Sequence, residues 1–214
     1  VGQLAQFRQR LAQHGAERER LQAENDALRE RLAEASEAAQ SATARAAAAE
    51  VALHTARSEG GGGDAAGLYA EFAREARVLG LLYAQEGHHA EALRLHTRAR
   101  ELHARAHGPR HPEVARDLSH AGAALSALGR LDDAADAYRD AHALDAAALG
   151  ASHVHTCTDL GGLGLVLAAQ RRWREAADAL HRSSRALAGS RGPAHAHVLA
   201  LERALEQCNE RARE

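Results

Sequence analysis

The chain contains no lysine, isoleucine or methionine, and only two asparagines, Asn25 and Asn209. These residues share AT-rich codons, so a GC-rich genome accounts for their scarcity, and a missing Lys or Asn says little about function. Aromatic residues make up 3% of a composition that is 45% hydrophobic. The apolar content is therefore mostly alanine and leucine, which favours helix over sheet. Long apolar runs are also missing. The longest, Gly161 to Ala169, is far shorter than the roughly 18 residues of a membrane span. Residues 1–20 are polar and charged, unlike a secretory signal. The two cysteines, Cys157 and Cys208, form no CxxC pair and read as reduced thiols in a cytoplasmic protein, Cys208 on a core face. A net formal charge of −2 gives no reason to expect nucleic acid or an acidic membrane as partner.

What is present is periodic. Gly108, Gly150 and Gly192 are 42 residues apart, as are His111, His153 and His195. Gly80, Gly122 and Gly164 repeat at the same interval, as do Ala92, Ala134 and Ala176, and a larger residue at Tyr83, Leu125 and Leu167. A fixed period of this size means stacked units, each covering its neighbour's apolar face. Helices are expected over residues 68–86, 88–107, 111–129, 131–149, 153–171, 173–189 and 195–213. The glycines at 108, 150 and 192 suit the left-handed residue that follows a helix. Pro112 suits a first helical turn. Short connections such as Gly87 and Gly129-Arg130 force neighbouring helices antiparallel. The last helix carries Glu202, Arg203, Glu206, Glu210 and Arg211, the polar outer face of a cap.

Upstream, residues 3–58 hold no proline and follow a seven-residue pattern. Leu4, Phe7, Leu11, Leu21, Asn25, Leu28 and Leu32 fall on its seam, which two helices can bury by supercoiling. A seam asparagine such as Asn25 sets register and favours a two-stranded parallel pairing, so a dimer or a partner coil is expected. The second half of the seam is mostly alanine. Ser58 to Gly67 then breaks the pattern with four successive glycines, a flexible joint. The expected architecture is all-α: a coiled-coil helix (1–58), a linker (59–67) and a superhelical array over 68–213. The array divides into units 68–108, 109–150 and 151–192, with a cap at 193–213.

The array resembles the tetratricopeptide repeat, in the 42-residue form of the kinesin light chains. The residues that carry the resemblance are Leu82-Tyr83-Ala84-Gln85-Glu86-Gly87, Ala90-Glu91-Ala92-Leu93 and Gly108-Pro109-Arg110-His111-Pro112. The second unit keeps Leu131-Asp132-Asp133-Ala134 and Tyr138, the third Trp173-Arg174-Glu175-Ala176. The order of coil, linker and repeats resembles those light chains as well. The resemblance implies a non-enzymatic adaptor without cofactor. Its coil would associate with itself or a motor heavy chain, and its concave groove would hold a partner peptide. The light chains have more repeats, and asparagines on their first helices; here those sites are Arg77-Val78, Ser119-His120 and Gly161-Gly162. By the same resemblance Arg74, Arg77, Arg116, His120 and Arg203 fall on or near the groove. Guanidinium forks there suit an acidic peptide. A repeat scaffold unconnected to motors is the alternative.

Chemistry of other kinds finds little support in the sequence. Fifteen histidines invite a metal reading, with His103 and His107 on one helix face, yet no HExxH or Cys-His cluster appears. His111, His153 and His195 recur in the interrepeat loop, where capping a helix suffices. Ser183-Ser184 near His181, and Cys157 near His155, lack a strained turn or a third orienting group. The run Gly161-Gly162-Leu163-Gly164 has no following Lys-Ser/Thr and is not a phosphate loop. Gly164 matches Gly80 and Gly122 and reads as a packing site. Gly161 and Gly162 match no such position, and each costs about 1 kcal/mol against alanine in a helix. On that argument this helix is the soft point of the array, and Gly161→Ala should raise its melting temperature.

Overall fold

The computed structural model describes residues 65–213 and nine positions between Arg18 and Glu37, all nine helical and exposed. The seam residues Leu4, Phe7, Leu11, Leu21, Asn25, Leu28 and Leu32 lie outside the described residues. The chain divides into two compact units, Val1–Ser41 and Ala42–Glu214, and the array belongs to the second.

Seven helices form the array: α1 (Ala65–Gln85), α2 (His89–His107), α3 (Pro112–Ala127), α4 (Leu131–Leu149), α5 (Val154–Ala169), α6 (Trp173–Arg191) and α7 (Ala196–Arg211). Six begin within a residue or two of their expected starts. The first begins three residues earlier, at Ala65. The sixth runs two residues past its expected end, because no left-handed residue intervenes before Gly192.

The interrepeat loops are built alike. Gly108, Gly150 and Gly192 have φ of 94°, 96° and 89°, positive as expected. Their ψ values of 157°, 155° and 150° are extended, not helical, so they occupy a region open essentially to glycine alone. Three residues later a histidine caps the next helix. The Nδ1 atoms of His111, His153 and His195 accept from the backbone N–H of Glu113, His155 and His197 at 3.3, 3.2 and 3.2 Å. The capping expectation is therefore met by direct contact, and each ring satisfies one of the four orphan donors of its helix. Inside each repeat the turn uses Gly87, Gly129 and, at the equivalent place, Arg171, with φ of 82°, 75° and 61°. Arg171 adopts a left-handed conformation that its two counterparts reach as glycines.

Each helix packs on the next in the chain. The first helices of successive repeats also meet: α1 with α3, α3 with α5 and α5 with α7. Among the described residues no Cα atoms of α2, α4 and α6 come within 8 Å of one another. Neighbouring units are thus tilted so that first helices converge on an inner, concave layer and second helices fan out behind it. Ala92, Ala134 and Ala176 are fully buried and let the paired helices approach. The core becomes more apolar along the chain. Val114, Ala115, Leu118 and Ala141 form one cluster. Leu167, Leu180, Leu187, Val198, Leu201 and Cys208 belong to a larger one that joins the third repeat to the cap. The charged residues of α7 expected on its outer face, Glu202, Arg203, Glu206, Glu210 and Arg211, are all exposed.

Candidate partner-binding groove and its buried supports

Every second helix pushes one side chain between two first helices. That side chain is His96 in α2, Tyr138 in α4 and Leu180 in α6, again 42 residues apart. Each lies over the small residue of its own repeat. A Cβ added at Gly80 would meet His96 Cε1 at 2.6 Å, one at Gly122 would meet Tyr138 Cδ2 at 3.1 Å, and one at Gly164 would meet Leu180 Cγ at 2.8 Å. The packing role expected for these glycines is correct. The other side of the wedge faces the next repeat. His96 lies against His120, ring centroids 5.1 Å apart. A Cβ at Gly162 would fall 2.6 Å from Tyr138 Cζ.

This corrects the reading of Gly161 and Gly162 as unexplained losses of helix propensity. Gly162 leaves no room for a side chain because the Tyr138 ring fills the space. Gly161 is closed in by Ser183 Oγ at 2.8 Å and Leu201 Cδ2 at 3.1 Å from where its Cβ would stand. Ser183 Oγ donates to the Cys157 carbonyl at 2.6 Å, and Ser184 Oγ to that of His181 at 3.2 Å. Both hydroxyls are thereby committed to the backbone.

A second set of positions ties one first helix to the next. Arg77 in α1 pairs with Glu113 in α3 and stands 3.5 Å from Asp117 Oδ1. His103 Nδ1 lies 2.6 Å from Asp117 Oδ2, and Arg116 Nη1 donates to Glu113 at 2.9 Å. Asp117 and His103 are buried, at 0% and 1% exposure. Burial pushes the Asp117 carboxyl up, with His103 and Arg77 working against it. Burial also pushes Glu113 up, but Arg77 and Arg116 outweigh it and hold its carboxyl below the usual range. One repeat further on, Ser119 donates to Asp159 in the same arrangement.

The five residues expected at the groove divide accordingly. Arg74 and Arg203 are exposed, and Arg116 has 37% of its side chain open. Arg77, with 12% of its side chain exposed, is turned inward onto the carboxylates of α3. His120 is half-buried against His96. Sequence reasoning missed an apolar row on the same layer. Leu81 and Leu165, at 38% and 47% exposure, flank exposed Ala123 at the repeat interval. The first helices thus carry exposed or part-exposed arginines at 74 and 116 and exposed apolar residues at 81, 123 and 165. The signal was available in the period, but an exposed leucine is told from a core leucine only by its neighbours.

The histidine pair makes the contact between the first two repeats acid-sensitive. Burial, then the charges of His120 and Arg77, lower His96 to about 4; burial, Arg77 and Arg116 lower His120 to about 4. Both stay neutral in the fold, whereas in the unfolded chain they take up protons near 6.5. Their contribution is intact above that value and is lost as pH falls from 6.5 to 4, by roughly 3 kcal/mol for buried His96. His96→Leu, which places at this site the side chain found at 180, should shrink the drop in melting temperature between pH 7 and 4.5. Circular dichroism at the two pH values measures it.

Among the described residues no three His, Cys, Asp or Glu side chains converge so as to hold a metal ion. His103, a candidate ligand, is engaged with Asp117 instead. No described helix is long and apolar enough to cross a membrane.

The sequence profile of the tetratricopeptide repeat matches residues 73–147. No curated protein sequence matches the chain. Among solved structures, the fold is similar to the Sgt2 TPR domain from Aspergillus fumigatus (TM-score 0.52, 20% identity), over 66% of this chain and 80% of that one. It is also similar to the nearly identical TPR-like repeats of a putative kinesin light chain from Podosopora anserina (TM-score 0.54, 17% identity), over 78% and 86%. A third likeness is the TPR2B domain of yeast Sti1, solved in complex with pHsp70 (TM-score 0.52, 19% identity), over 64% and 96%.

Proposed function

We propose that the chain, whose residues 73–147 match the tetratricopeptide repeat, is a non-enzymatic adaptor whose concave layer holds an acidic, leucine-bearing segment of a partner protein. The observation that carries this reading is the pairing of two rows on the first helices. Arg74 and Arg116 form the basic row, and Leu81 and Leu165 the apolar one. A guanidinium fork takes a carboxylate bidentately, and a leucine row accepts the apolar side of the same peptide. Arg77 is excluded from direct contact because it neutralises Glu113 and Asp117. Its removal would disturb the fold before it disturbed binding.

The kinesin light chain-like version of this proposal adds a coil over residues 1–58 that joins a second copy or a motor heavy chain in the cytoplasm. Support for it is the 42-residue spacing and the heptad seam with Asn25.

Titration of the full chain against a fluorescein-labelled peptide rich in glutamate with two spaced leucines tests the groove. Arg74→Ala with Arg116→Ala should weaken binding by about tenfold or more, as expected for two charge-assisted contacts. An unchanged affinity at unchanged melting temperature would refute the assignment. Light scattering on the same protein tests the coil, which a monomer would rule out as a self-associating element.

A further inference from the structure

Superposing the repeats by their 42-residue interval shows how each joint between first helices is built. The first joint uses Arg77, His103, Glu113 and Asp117. The equivalent residues in the second are Ser119, Asp145, His155 and Asp159, and in the third Gly161, Leu187, His197 and Leu201. Three different solutions occupy one place. In the first, two carboxylates face a guanidinium and an imidazole. In the third, Leu187 and Leu201 pack in a shared apolar cluster, with Gly161 making room.

The second joint has neither solution. Asp145 and Asp159 are 1% and 3% exposed. Oδ1 of Asp145 and Oδ2 of Asp159 are buried with no hydrogen-bond partner. Ser119 supplies one hydroxyl to Asp159 where the first joint supplies an arginine. The other groups around the pair do not replace that cation. Tyr138 from α4 and Cys157 from α5 both feel the charge of Asp159 and are pushed up, chiefly by burial. Burial pushes the Asp145 carboxyl up; His155 at the start of α5, His153 in the loop and Arg116 work against it, and Glu113 from α3 adds to it. His155 is itself held low by burial and by Arg116. Two carboxylates so placed cannot both ionise without leaving a buried charge uncompensated.

We propose that the joint between the second and third repeats is closed by a single proton held on the Asp145–Asp159 pair, and that loss of this proton to solvent loosens the joint. The first helices α3 and α5 are adjacent, so this one joint would be rigid at mildly acidic pH and hinged above neutrality. The direction agrees with the electrostatics. Burial, and then the neighbouring Asp145 charge, carry Asp159 up to about 7 against the Ser119 hydrogen bond. An acid whose folded value lies above its unfolded one stabilises most at low pH, and that stability is lost as pH rises through the folded value.

The experiment uses the full chain. Between pH 6.0 and 8.5 the melting temperature of the wild-type protein should fall by roughly 3–5 °C more than that of Asp159→Asn. Asp145→Asn should flatten the profile in the same way. Hydrogen exchange at pH 8.5, corrected for the intrinsic pH effect, should be at least about tenfold faster in α5 of wild type than of Asp159→Asn. Parallel melting profiles in all three proteins would overturn the proposal. Should neither variant fold, the carboxyl carbon resonance of Asp159 in the wild-type chain decides. A midpoint near 7 supports the latch, and one near 4 overturns it.

Discussion

Replacing Arg77 with alanine should destabilise the array by roughly 3–5 kcal/mol, the range for removing one partner of a buried ion pair. The size of the effect comes from what is left behind. Asp117 is fully buried and has its Oδ1 toward Arg77, without any hydrogen bond. Its other oxygen is engaged with buried His103. Without the guanidinium, two carboxylates of α3, Asp117 and Glu113, would face α1 with only His103 and the half-exposed Arg116 to balance them. Urea denaturation should show a lowered midpoint at unchanged slope, the mark of lost stability in an unchanged fold. Adding Asp117→Asn should restore much of the loss, because it removes the stranded charge and keeps an acceptor for His103. A loss below about 1 kcal/mol would mean that the pair behaves as an exposed ion pair. The same result would return Arg77 to the set of residues free to bind a partner.

Gly162→Ala should lower stability by roughly 1–3 kcal/mol, the cost of forcing one extra carbon into a filled site. Helix propensity alone predicts a gain of about 1 kcal/mol, so the two arguments differ in sign. Tyr138 decides between them. Its ring is wedged against Gly122 on one side and Gly162 on the other, so it cannot withdraw from one without striking the second. The third repeat suggests the repair. There the wedge is Leu180 and the residue equivalent to Gly162 is Ala204, both in one packed cluster. Tyr138→Leu combined with Gly162→Ala should therefore be more stable than Gly162→Ala alone. Gly161→Ala should also lower the melting temperature, because its methyl would displace the Ser183 hydroxyl from the Cys157 carbonyl. Thermal unfolding of the four proteins gives the answer; a rise for either single alanine variant would restore the propensity argument.

These two glycines show where a sequence stops being readable. Gly164 reads as a packing site because Gly80 and Gly122 stand at the same place in the period. Gly161 and Gly162 do not, because their counterparts are Ser119 and His120 in one unit and Arg77 and Val78 in another. Side chains at a joint need to fit their opposite number, not their own equivalents. Arg77 faces Asp117, Ser119 faces Asp159 and Gly161 faces Leu201, each 40 residues on. Covariation of that kind cannot be seen in a single chain until the helices are set side by side. The same limit applies to the groove. Periodicity placed Arg74 and Arg77 on one helix, but three residues of helix are enough to point one outward and turn the other onto buried carboxylates.

Sequence alone determined the local plan. Glycines that tolerate positive φ end the helices, histidines three residues later cap the next ones, and alanines at a fixed interval bring each pair together. These are short-range effects, decided by backbone sterics and by side chains that bond to their own main chain. Tertiary structure decided which residues support the array and which remain open to a partner. It filled three equivalent joints with an ion-pair network, an acid pair and an apolar cluster. Burial made the difference, because the energy of a charge or a methyl group depends on what stands across the joint, and that neighbour lies some 40 residues away in the chain.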